Sequence, residues 1–151
     1  MVTKIQTLLE KRKIQMVLSV KKDTTVIEAL SIMAEHGVGA LLIMEGDELL
    51  GIFSERDYAR KGIIQGRKAK STTMEEVMTK NVLTVCHTQT TKECMEIMEE
   101  NNIRHLPVIS EDKRVVGLLS MKDIVRSMIQ EQRQHINYLE SYISGGINLN
   151  M

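Results

Sequence analysis

The sequence predicts an α+β fold: two βαββα repeats followed by one extended C-terminal helix. Three observations predict it. The stretch Gly51-Ile52-Phe53-Ser54-Glu55-Arg56-Asp57-Tyr58 returns as Gly117-Leu118-Leu119-Ser120-Met121-Lys122-Asp123-Ile124. The strand and helix patterns ahead of the two copies match at an offset of 65 residues, rising to 66 after a longer turn. From the end of the second copy onward, Ile124, Val125, Met128, Ile129, Gln132, Ile136, Leu139 and Ile143 keep one helical stripe.

The elements follow in order. Residues 1–16 carry Ile5, Leu8, Leu9 and Arg12 at the spacing of an arm or short helix. Repeat 1 spans 17–61. It opens with a strand, Met16 to Val20, and a turn at Lys21-Lys22-Asp23. Thr25-Val26-Ile27-Glu28 is a capping box, in which threonine and glutamate satisfy each other's backbone N–H groups and start a helix. Val26, Ala29, Leu30, Met33 and Ala34 share one face, and Gly37 supplies the left-handed exit. Val38 to Met44 is a nearly continuous apolar run, hence a buried strand, and a turn at Glu45–Glu48 pairs it with Leu49 to Phe53. Ser54 then caps a helix to about Lys61.

Residues 62–80 read as a linker, and the pattern restarts in repeat 2, residues 81–129. Val82-Leu83-Thr84-Val85 matches the first strand, and Thr90-Thr91-Lys92-Glu93 is again a capping-box pattern. Asn102 stands where Gly37 was, and asparagine also tolerates the left-handed exit. Ile103 to Ile109 matches the second strand. Residues 130–151 form a helix extension and tail, with Gly145-Gly146 expected to stop the helix.

Composition narrows the function. Twenty basic and twenty acidic residues cancel, which argues against a general nucleic-acid binder. Aromatics are 3%, too few for base-stacking platforms. Cys86 and Cys94 form neither a CxxC pair nor a disulfide framework, and His36, His87 and His135 lack metal-ligand spacing. No apolar run is long enough for a membrane span, and residues 1–12 lack the apolar region of a signal peptide, so the expected location is cytoplasmic. There is no Gly-rich phosphate loop and no nucleophile–base set, so the chain is read as non-catalytic.

The repeated Ser-x-x-Asp has two readings. It is a variant capping box, with the aspartate reaching back to the cap's own N–H. It is also a polar cluster at a helix N-terminus, where a serine hydroxyl and backbone N–H groups can donate to phosphate. An aspartate there can accept from ribose hydroxyls. Duplication behind Gly-apolar-apolar favours the second reading.

Two such repeats, with Ile103-Arg104-His105-Leu106-Pro107-Val108 in the second, resemble a tandem pair of CBS domains (a Bateman module) over residues 17–129. The absence of a companion enzyme or transporter segment resembles the stand-alone bacterial proteins of this kind. The resemblance implies two repeats packed sheet to sheet about a pseudo-twofold axis, with two clefts for adenosine compounds: AMP, ADP, ATP, S-adenosylmethionine or NADH. It implies a first cleft built on Ser54 and Asp57, faced by Thr84, Val85 and Ile103. The second would be built on Ser120 and Asp123, with Ser19, Val20, Val38, Gly39 and Ala40. Arg104 and His105 would serve either cleft, and Arg56 and Lys122 would assist. Because Val38 to Ile43 has neither His nor Pro, the cleft nearer Arg104 and His105 is expected to hold more phosphates. The implied function is a regulatory nucleotide sensor, expected to be a homodimer acting on an unidentified protein. The alternative is an interaction module that binds no nucleotide and works through its C-terminal helix.

Overall fold

The computed structural model describes residues 3–11 and 17–149, with side chains to Ser144. Its elements are α1 (Ile5–Glu10), β1 (Ser19–Val20), α2 (Val26–His36), β2 (Ala40–Glu45), β3 (Glu48–Ser54) and α3 (Glu55–Asp57), which runs on as a π-helical segment, Tyr58–Ile63. After these come α4 (Met74–Val77), β4 (Val85–Cys86), α5 (Thr91–Asn101), β5 (His105–Ile109), β6 (Val115–Ser120) and α6 (Met121–Leu149). They form two three-stranded sheets, β1-β2-β3 and β4-β5-β6. In each, the first strand runs parallel to the second and the second antiparallel to the third. The α+β duplication is therefore observed, with Ala40 opposite Ser54 in one sheet and His105 opposite Ser120 in the other.

Local sequence explains most of these ends. Thr25 and Glu28 form the reciprocal capping box at α2. At α5 only half of the expected box forms: Thr90 accepts from the Glu93 N–H, while the Glu93 carboxylate takes the Gln89 side-chain amide instead. Gly37 and Asn102 both end their helices in the left-handed conformation, at φ 64° and 52°. The first strands are two residues each, Ser19–Val20 and Val85–Cys86, with Leu42 N–H donating to Leu18 O and His87 N–H to Ile109 O at their ends; Met16, expected to open the first strand, lies outside the described residues.

Two short helices exchange places between the repeats. Helix α1 precedes repeat 1 in the chain but packs on repeat 2. Ile5 N–H donates to Gln89 O at 2.8 Å and Thr91 N–H to Thr3 O at 2.8 Å, and Ile5 joins Val85, Met98, Leu106 and Leu119 in one core. Helix α4, inside the predicted linker, packs on repeat 1 in the same way. Val26 N–H donates to Thr72 O at 2.8 Å, and Met74 and Val77 enter the core of Met33, Leu41, Ile43 and Phe53. The correspondence reaches single residues: Leu9 lies against Gly117, and Met78 against Gly51. Each core is thus completed by a segment that precedes the other repeat.

The helices after β3 and β6 differ. The first is brief and widens to the π form, where Gly62 lies beneath the Tyr58 ring; a Cβ there would stand 3.1 Å from Tyr58 Cδ2. The second runs 29 residues, and Gly145-Gly146 does not stop it. Glycine costs a helix interior only about 1 kcal/mol, so without a left-handed turn the helix continues.

Candidate functional site

At the first copy of the motif, β3 delivers Ser54 in an extended conformation and α3 begins at once. The Asp57 carboxylate turns back on the cap. Its Oδ2 accepts from Ser54 N–H at 2.9 Å and from the Ser54 hydroxyl at 3.1 Å, while Asp57 N–H donates to Ser54 Oγ at 3.2 Å. Its Oδ1 accepts from the Thr79 hydroxyl at 3.1 Å and lies 3.7 Å from Lys61 Nζ. Glu55 N–H already donates to Gly39 O at 3.2 Å. The capping reading of Ser-x-x-Asp is therefore satisfied in full. The Ser54 proton points to a carboxylate, so the hydroxyl is not free to donate elsewhere.

A cavity of about 380 Å³ opens beside the motif. Gly39, Ile52, Ser54, Glu55, Arg56, Asp57 and Arg60 come to it from repeat 1; Thr79, Asn81, Val82 and Leu83 come from the approach to β4. Asn101, Asn102, Ile103, Arg104 and His105 close the opposite side. Three guanidinium groups against two carboxylates make the walls net cationic even with His105 neutral. Arg56 also ties the two repeats together, its Nη1 donating to Asn102 O at 3.0 Å. That carbonyl ends α5, where the helix dipole is negative, so the contact is electrostatically favoured.

The second copy repeats the cap. Asp123 Oδ2 accepts from Ser120 N–H at 3.0 Å and from the Ser120 hydroxyl at 2.7 Å, and Met121 N–H donates to Arg104 O as Glu55 does to Gly39 O. Around it the chemistry differs. His105, paired with Ser120, occupies the place that the buried Ala40 holds beside Ser54. Its ring lies against Gly39, where a Cβ would stand 3.7 Å from Cε1 and Nε2, so the starts of β2 and β5 meet. Burial pushes the His105 imidazole below its usual value, against the opposite pull of Asp123 and Glu55. The ring thus feels one acid from each motif.

Comparison with known proteins agrees with this architecture. The family model for the CBS domain matches residues 13–62 and 74–130. The chain belongs to the CBS-domain family. A CBS-domain putative signal-transduction protein from Burkholderia ambifaria MC40-6 superposes with a TM-score of 0.82 at 42% identity, covering 86% of this chain and 96% of that one. The mitochondrial CBS domain-containing protein CBSX3 of Arabidopsis thaliana is 43% identical over 129 residues, 82% of this chain and 62% of its own length. The chain thus spans less than two thirds of that relative. The CBS domain pair of protein MJ0100, solved in complex with 5'-methylthioadenosine and S-adenosyl-L-methionine, superposes with a TM-score of 0.74 at 28% identity, covering 87% of this chain and 99% of that one.

Within this CBS pair, the structure brings Ser54, Asp57, Ile103, Arg104 and His105 to one cavity. Gly39, expected beside Ser120, lines that cavity as well. Thr84 and Val85 do not line it; Val85 is buried opposite Val108, and Val82 and Leu83 take their place two residues earlier. Ser19 and Val20 pair with Leu42 and Ile43, Val20 and Val38 pack on the repeat 1 core, and Ala40 is buried beside Ser54. Sequence reasoning missed Arg60, Thr79 and Lys61. Lys61 was findable, since it lies four residues after Asp57, an ion-pair spacing on a helix. Thr79 carried no signal, because it reaches Asp57 from the linker. Among the described residues no helix is long and apolar enough to cross a membrane, and no cluster of three or more His, Cys, Asp and Glu is placed to hold a metal.

Proposed function

We propose that this CBS pair is a non-catalytic sensor that binds an adenosine nucleotide in the first cleft, as a cytoplasmic homodimer acting on a partner protein. One observation carries the proposal: Asp57 lies in a cavity of about 380 Å³ ringed by Arg56, Arg60 and Arg104. An aspartate has about four acceptor sites, and Ser54 and Thr79 fill three, so Asp57 takes one ribose hydroxyl without displacing Thr79. The arginines take phosphate, for which a planar bidentate donor is well suited. Val82, Leu83 and Ile103 supply an apolar bed for adenine. Arg104 and His105 both line this cleft, so it is the one that holds more phosphates. The Ser120–Asp123 cap of repeat 2 belongs to a second cleft, faced by Ser19, Val20, Val38 and Ala40 of repeat 1, of which Ala40 is buried beside Ser54.

The cationic wall favours AMP, ADP, ATP and NADH over the sulfonium of S-adenosylmethionine. Bound phosphate would draw Arg56 from Asn102 O and so change the contact between repeats. A ligand shifts such an arrangement only by its difference in affinity for the two states. Calorimetric titration with AMP, ATP, NADH and S-adenosylmethionine tests the proposal. The expected result is binding strongest for ATP and weakened at least tenfold by Asp57→Ala. Absence of binding by all four would overturn it.

A further inference from the structure

We propose that α6 joins two copies of this chain through a parallel two-stranded coiled coil whose seam is Val125, Ile129, Gln132, Ile136, Leu139 and Ile143. This rests on the homodimer reading above and is independent of the nucleotide site. Those six positions follow one another at spacings of 4, 3, 4, 3 and 4 residues. That is the 3.5-residue period of a supercoiled pair, with isoleucine at each of three successive a positions and valine, glutamine and leucine at d. Helix α6 has two faces. Ile124 is buried in the repeat 2 core, with Ser127 and Glu131 partly covered along the same side. At about 100° per residue the seam is centred roughly 100° around the helix from Ile124, so it does not serve that core. Its apolar side chains are exposed: Val125 43%, Ile129 44%, Ile136 51%, Leu139 44% and Ile143 59%.

The helix also outruns the body. From Gln132 to Ser144 every residue is exposed, and the helix continues to Leu149. A projecting amphipathic helix with so regular an apolar row has no reason to persist alone in water.

The choice of occupant and orientation comes from the seam itself. In a parallel arrangement, β-branched residues at a favour two strands over three or four. Gln132 is its one polar member. In a parallel pair it meets Gln132 of the second copy and the two amides hydrogen-bond across the axis; in an antiparallel pair it would face an isoleucine and stay unsatisfied. The flanks agree, since His135 at g then faces Glu140 at e of the second copy, and no like charges meet. The groove of Met95, Met128, Gln132 and Ile136 continues the seam onto α5, so the partner helix also covers Met95.

Multi-angle light scattering on the full chain, with and without Ile136→Asp/Leu139→Asp, tests the interface. Both side chains are exposed, so the variant keeps the fold, which circular dichroism checks. A dimer that becomes a monomer supports the proposal. A wild-type monomer would overturn it together with the homodimer reading, and a dimer indifferent to the double substitution would overturn the seam alone. Orientation is read from Leu139→Cys in a Cys86→Ser background, where Cys94 is buried. A parallel pair oxidises to a covalent dimer through residue 139, and a dimer that stays uncrosslinked would overturn the parallel arrangement.

Discussion

The two Ser-x-x-Asp caps are nearly superposable in their hydrogen bonds, yet their surroundings differ. Ser54 and Ser120 donate both backbone and hydroxyl protons to their aspartates. Around Asp57 stand Lys61, Thr79 and three arginines of the cavity; across from Ser54 is a methyl group, and across from Ser120 an imidazole. The lesson is that duplication preserves what the backbone needs. Divergence works on side chains that the cap does not use, and those set the charge around each cap.

The largest test of the comparison concerns the exchanged helices. Ile5 and Met74 are both fully buried, and Ile5→Ala and Met74→Ala are each expected to cost about 2–5 kcal/mol. The location of the damage is the sharper prediction. Amide exchange should rise in β4, β5 and β6 for Ile5→Ala, and in β1, β2 and β3 for Met74→Ala. Loss of protection in the repeat next in sequence would show that the helices are not exchanged in solution.

In the first cleft, Arg104→Ala is expected to weaken ATP binding by about 10- to 100-fold, from the ~1.5–3 kcal/mol of a hydrogen bond to a charged group. AMP, with fewer phosphates to reach the ring of arginines, should lose less. Equal losses for the two nucleotides in parallel titrations would remove Arg104 from the phosphate end.

The motif glycines separate the repeats at a smaller scale. A Cβ on Gly51 would stand 2.8 Å from the Thr79 carbonyl and 2.7 Å from Met78 Sδ, while one on Gly117 would meet only the Leu9 side chain, at 2.9 Å. A backbone oxygen yields less readily than a leucine methyl. Gly51→Ala should therefore cost about 1–3 kcal/mol, as overpacking does, and Gly117→Ala distinctly less. Urea unfolding midpoints rank the two, and the reverse order would contradict the packing described.

Elements specified by neighbouring residues were legible in the sequence. The Thr25–Glu28 box, the exits at Gly37 and Asn102 and the strand pairs flanking each motif all depend on interactions a few residues apart. What was not legible depends on partners distant in the chain. Helix α4 was taken for linker although Thr72, Met74, Val77 and Met78 reproduce the roles of Thr3, Ile5, Leu8 and Leu9. A comparison of residues 3–9 with 72–78 would have found it. At the cavity beside the first cap, the sequence singled out Ser54, Asp57 and Arg104, whose types announce their chemistry. Thr84 and Val85 do not line that cavity, because the two-residue β4 starts later than its apolar run and Val82 and Leu83 take the wall.

The smallest expected effect isolates the histidine that distinguishes the repeats. Asp123, Glu55, Arg104 and Arg56 all act on His105, and burial outweighs the two acids, so its folded pKa lies below 6.5. The unfolded chain therefore takes up this proton first as pH falls. His105 lends stability that is fully present above pH 6.5 and is lost as the pH drops from there toward the folded value. Repeat 1 has Ala40 at the equivalent place and contributes no such dependence. Urea midpoints at pH 7.5 and 5.5 should thus differ more for the wild type than for His105→Gln, the carboxylates common to both cancelling in the difference. An equal or larger drop in the variant would mean that the ring is solvated and that the strand starts at Gly39 and His105 do not close on each other.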